Sequence, residues 1–150
     1  MPRLITAVED TVDVEYGQFV LQELPLVRNA LSLSPPAGPW IGVGGPGGLL
    51  LHSAATDHAP AVRLETWDSA PPGEPDSAAW DHVLELACDL TTEVRLQSVT
   101  AAPGDHTLSL PRPGPHRARV HVGNQRGTAQ LGEGSFATGI ERWLIQLWPA

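Results

Sequence analysis

Lysine is absent, and all nine basic residues are arginine. That removes Schiff-base catalysis and phosphate-loop lysine chemistry from consideration. Cysteine is almost absent too. Cys88 stands alone, so no internal disulfide and no CxxC site can form. Its setting, Val83-Leu84-Glu85-Leu86-Ala87, predicts a buried, inert thiol. No apolar run approaches a membrane span, and residues 1–6 lack a long apolar leader core. The expectation is a cytoplasmic protein with no membrane role. Positive charge is scarce, with nine basic residues against 17 acidic ones and a net charge of −8. That balance argues against a direct, sequence-independent grip on nucleic acid. It suits an acidic face that meets a basic partner.

Turn-forming residues are abundant, with Gly and Pro at 15 each. Both break long helices and suit short strands joined by many loops. Apolar residues make up 41% of the 150-residue chain, enough for one domain with a real core. The tail Glu141-Arg142-Trp143-Leu144-Ile145-Gln146-Leu147-Trp148 is the clearest pattern. Apolar and polar residues alternate there in roughly the period of a strand with one buried face. So apolar an end must be paired and packed, or it becomes an aggregation hazard.

Further strands are expected along the chain. Residues 12–21 read as one long strand whose parity shifts at Gly17, as a bulge would cause. Pro25 ends it. Residues 40–43 and 49–52 flank a glycine-rich wide turn and read as a hairpin. Residues 61–67, 94–99, 107–110 and 116–122 alternate and read as strands, the last pairing with the tail. Residues 80–90 fit either a strand or a helix capped by Asp76 or Ser77, and neighbouring strands favour the strand. Together these predict an all-β fold: a single antiparallel β-sandwich of about eight to nine strands spanning residues 1–150, with room for one short helix.

No catalytic constellation is evident. Gly42 to Gly48 is glycine-rich, but a strand-like Leu49-Leu50-Leu51 follows it instead of a helix, so a turn is expected. His52, Asp57 and His58 would make a metal site only if the fold brought them together. His116 and His121 are five apart and face opposite sides of a regular strand. No nucleophile elbow and no paired-carboxylate motif appears. No cofactor and no metal is expected. Acidic residues cluster early, including Asp13 and Glu15, and arginines are weighted late. Asp13 and Glu15 either pair with Arg117 and Arg119 across a sheet or line an exposed face for a partner. Of five tryptophans, Trp67, Trp143 and Trp148 fall in strands and read as core. Trp40 and Trp80 stand beside loops, where they would anchor a partner or a sugar.

Several stretches carry a family resemblance. Val14-Glu15-Tyr16-Gly17-Gln18-Phe19 resembles a short strand near the start of the bacterial competence J proteins. Gly48-Leu49-Leu50-Leu51 through Ala61-Val62-Arg63-Leu64 is similar to that family's next hairpin. Leu108-Ser109-Leu110-Pro111, with Gly114-Pro115-His116-Arg117-Ala118-Arg119-Val120, is similar to a later segment. Arg142 to Pro149 resembles the ending of small actinobacterial proteins. Competence J proteins inhibit a DNA-entry nuclease. The resemblance therefore implies a non-enzymatic protein that inhibits or neutralises a partner, as a nuclease inhibitor or immunity protein does. Its partner would be a basic nuclease or toxin, and Asp13, Glu15, Trp40 and Trp80 are the expected contacts. Two other readings stay open: a small-molecule or carbohydrate-binding sandwich, and a metal-dependent enzyme.

Overall fold

The computed structural model describes residues 1–73 and 79–150. Ten strands build it: β1 (Leu4–Thr11), β2 (Gln18–Leu24), β3 (Gly42–Gly45), β4 (Gly48–His52), β5 (Ala59–Trp67), β6 (His82–Leu90), β7 (Glu93–Ser98), β8 (Pro103–Ser109), β9 (Gly114–Gly123) and β10 (Thr138–Pro149). One short helix, α1 (Gln125–Thr128), and a 3-10 turn at Ala30–Ser32 complete the described elements. The strands form two five-stranded sheets, ordered β1-β5-β10-β9-β6 and β3-β4-β2-β7-β8. The expected β-sandwich is the observed fold.

Alternation explains the core. Trp143, Ile145 and Leu147 on β10 face inward and meet Phe19 and Leu21 of β2, Leu49 and Leu51 of β4, and Val120 of β9 in one buried cluster. Phe19 and Trp143 meet edge to face, with ring centroids 5.1 Å apart. Such a pair adds about 0.5–1.5 kcal/mol beyond area burial. β10 is central, antiparallel to β9 but parallel to β5. That single parallel pairing departs from the purely antiparallel sandwich expected. It arises because β10 returns from β9 and slots between β9 and the much earlier β5.

The opposite residues of β10 are covered as well. Leu144, Gln146 and Trp148 are buried on the outer side of the first sheet. Pro71, Pro72 and Ala79 are tied to that side: Arg119 donates to the carbonyls of Pro71 and Pro72, and Arg142 to that of Ala79. Arg119 also sits over the Trp148 ring at 5.5 Å. Trp148 is therefore buried outside the sandwich core, beneath Arg119.

Two local expectations change, one strand is unforeseen, and the strand favoured within residues 80–90 is the one observed. The long strand over 12–21 is broken: Glu15 and Gln18 exchange backbone hydrogen bonds, and Tyr16 and Gly17 take φ of +55° and +74°. Two central residues with positive φ make a tight type I′ turn, which shifts parity just as a bulge would. An unforeseen strand, β1, precedes it at the sheet edge. The glycine turn is narrow: Gly45 pairs with Gly48, leaving Pro46 and Gly47 to turn the chain. Residues 82–90 are strand, pairing with β9 throughout. The alternative helix caps, Asp76 and Ser77, lie outside the described residues.

The sandwich is sealed along one flank by close backbone approach. A Cβ on Gly44 would collide with the Ala87 carbonyl of β6. Gly47 N–H donates to Asp89 O across the same seam. Glu23, fully buried, holds the chain beyond β2, accepting from both Nε and NH2 of Arg28 at 2.9 and 2.6 Å. That bidentate pair, with backbone donors from Arg28 and Thr91, holds the Glu23 carboxyl below its ordinary pKa.

Candidate functional site

Three chain segments meet at one end of the sandwich: the turn between Val14 and Gln18, the β4–β5 loop over residues 53–58, and residues 132–138 ahead of β10. Backbone hydrogen bonds fasten them together. Gly17 N–H donates to Thr56 O, Ser53 N–H to Gly17 O, Val14 N–H to His58 O, and Ala59 N–H to Ala137 O. Gly134 N–H reaches the Asp57 carboxylate at 3.3 Å.

This rim carries two exposed aromatic rings in an acidic frame. Tyr16 is 82% exposed and Phe136 75% exposed. Both hold positive φ, +55° and +53°, which bulky side chains seldom adopt. A depression of about 260 Å³ beside Phe136 is lined by Asp13, Glu15, Asp57 and His58. A neighbouring one of about 250 Å³ beside Tyr16 shares Glu15 and Asp57 and adds Glu133. Glu15 is fixed in place by Thr100, whose Oγ1 and N–H donate to Oε1 at 2.8 and 3.2 Å. Desolvation raises the Glu15 pKa, but these donors outweigh it and the net shift is downward.

Beneath the rim lies a buried polar cluster. Glu141 accepts from Ser53 Oγ at 2.7 Å, from Ala54 N–H at 3.0 Å and from Trp143 Nε1 at 2.7 Å. Ser53 Oγ also lies 2.7 Å from His58 Nε2. With its one proton given to Glu141, the Ser53 hydroxyl accepts from His58. This is not a nucleophile and its base: the serine faces a carboxylate that occupies its proton, and all three side chains are buried. Burial lowers the His58 pKa against the opposing pull of Glu141 and Asp57.

The sequence-predicted residues separate. Asp13 and Glu15 both line the rim. They do not pair with Arg117 or Arg119; Arg119 instead faces Glu85 at 3.3 Å. Trp40 stacks on His52, centroids 4.8 Å apart and planes 25° apart, at the mouth of a separate cleft between the sheets. Trp80 lies outside the first sheet, 5.2 Å from the Arg142 guanidinium and 5.3 Å from the His121 ring. His52, Asp57 and His58 do not converge: the first stacks on Trp40 and the third turns inward to Ser53. Among the described residues no group of three or more potential ligands could hold a metal ion. Cys88 is buried, and burial with nearby Asp89 pushes its thiol up to about 12.

Tyr16 and Phe136 were not foreseen as surface features. Tyr16 shares parity with Val12 and Val14 and so reads as core. The Tyr-Gly pair between two alternating runs is the signal that a turn lies there. Phe136 is a lone aromatic in a Gly- and Ser-rich segment, and only the folded chain shows it exposed.

No protein-family model and no curated protein matches the chain. Two solved structures do resemble it. One is the crystal structure of ComJ from Bacillus subtilis, inhibitor of the DNA-degrading activity of NucA, with a TM-score of 0.56 and 9% identity over 100% of this chain and 99% of that one. The other is described as crocagin biosynthetic gene J, with a TM-score of 0.55 and 14% identity over 97% of this chain and 99% of that one. Among the described residues no helix is long and apolar enough to cross a membrane. At these identities the likeness, end to end in both cases, is one of fold.

Proposed function

We propose that this chain is a non-enzymatic binding protein that inhibits or neutralises a protein partner through the acidic, aromatic rim. The observation that carries the reading is the pair Tyr16 and Phe136, exposed among Asp13, Glu15, Asp57 and Glu133. Exposed aromatics supply anchoring area, and the surrounding carboxylates favour a basic surface and steer its approach. The fold likeness to an inhibitor of a DNA-degrading activity adds support. On this reading the partner is a basic nuclease or toxin, met in the cytoplasm. Trp40 and Trp80 belong to this reading only as secondary contacts, since neither lies in the rim.

The test is capture from native-host lysate on the tagged protein, run beside a Glu15→Arg, Phe136→Ser variant. The expected result is one stoichiometric basic protein retained by the natural sequence and lost by the variant. Equal retention by both would remove the rim from the interface.

A further inference from the structure

The seam between β3 and β6 does not close along its whole length. Where Gly44 meets Ala87 the backbones touch, but towards Pro39 and His82 the two sheets diverge. The opening is a cleft of about 550 Å³, within the size range of small-molecule sites. We propose that this cleft is a second binding site, distinct from the rim, for a neutral, flat, largely apolar small molecule.

Its walls come from both sheets. Trp40 and Ile41 stand on one side and Leu84 on the other, with His52, His82 and Gln125 supplying polar atoms. Trp40 is held flat by its stack on His52. Ser53, at the base, is locked by Glu141 and His58, so this part of the wall is preformed. Its hydroxyl is engaged and is not free to act as a nucleophile there. No carboxylate or guanidinium lines the cleft among the described residues, although the chain carries a net charge of −8. A cationic ligand would therefore lose its water and gain no opposite charge. A flat apolar body with one hydrogen-bonding end loses nothing comparable. The proposal does not rest on the partner-binding reading, and either can fail alone.

The test is a titration of the 15N-labelled protein with 2-naphthamide, followed by amide and indole NMR shifts. Expected are saturable shifts centred on the Trp40 indole N–H and the Gln125 side-chain amide. His82 is exposed and shares the inward parity of Leu84 and Leu86 on β6, so His82→Trp fills the cleft without entering the core. That variant, its fold checked by the same spectrum, should bind at least tenfold more weakly. So should the charged analogue 2-naphthylmethylammonium with the natural sequence. Shifts that fail to saturate, shifts centred elsewhere, or undiminished binding by His82→Trp would overturn the proposal. Equal binding of the cationic analogue would overturn its charge selectivity.

Discussion

Ser53 Oγ stands 2.7 Å from His58 Nε2, and this one hydroxyl joins the base of the cleft to the floor of the rim. His58 is 3% exposed, and its Nδ1 has no hydrogen-bond partner among the described residues. A proton added there would be buried and unpaired. Burial accordingly depresses the His58 pKa below its ordinary 6.5. The unfolded chain takes up its proton near 6.5 and the fold resists until lower pH, so stability falls as pH drops below that value. A second loss belongs to carboxylates. Glu23 is held down by Arg28. Glu65 is raised by burial but lowered further by Arg63, Gln146 and Trp67. Their contribution is present above the ordinary 4.5 and disappears below it. Urea midpoints measured against pH should show both steps, and His58→Gln should remove the first while leaving the second. A midpoint flat from neutral pH down to the carboxylate range would contradict this role for His58.

Tyr16 holds a left-handed backbone conformation with its ring in solvent. Non-glycine residues in that region cost about 1–3 kcal/mol, and here no burial repays it. Tyr16→Asn suits the turn better. It should stabilise the fold by about 1 kcal/mol in denaturant unfolding and weaken partner binding at the same time. A stabilised variant that binds as before would deny Tyr16 a functional reason.

Glu141 satisfies three donors: Ser53, Ala54 and Trp143. Each buried donor left unpaired costs about 1–3 kcal/mol. Glu141→Ala should therefore destabilise by several kcal/mol, with the loss appearing in the unfolding midpoint. Ser53 and Trp143 both donate to Oε1, so Glu141→Gln keeps an acceptor for two of the three and should fall between. A loss under about 1 kcal/mol in Glu141→Ala would mean that water replaces the carboxylate.

The strands most legible in the sequence are those whose two faces differ. β9, β10 and β5 alternate along their length, and each forms where expected, longer by a few residues. β1 escaped notice because Leu4, Ile5 and Thr6 do not alternate and mostly stay exposed at a sheet edge. The turn at Tyr16 and Gly17 was hidden by parity, since a bulge and a two-residue reversal both shift it by one. The acids of the rim show in the sequence as charge. Its aromatics do not, because an apolar residue is read as core until the fold shows otherwise. The division of Trp40 and Trp80 between a cleft and the outer face of the first sheet depends on how the sheets diverge and on which side the chain re-enters β6, and both are tertiary facts.

The central claim is inhibition through the rim, and a stoichiometric titration tests it most directly. The partner recovered by capture would be purified and its activity, nuclease activity first, followed as this protein is added. The account predicts activity lost at one equivalent, retained with Glu15→Arg, Phe136→Ser, and regained as salt rises. Activity untouched at excess protein, or suppressed equally by the rim variant, would contradict it.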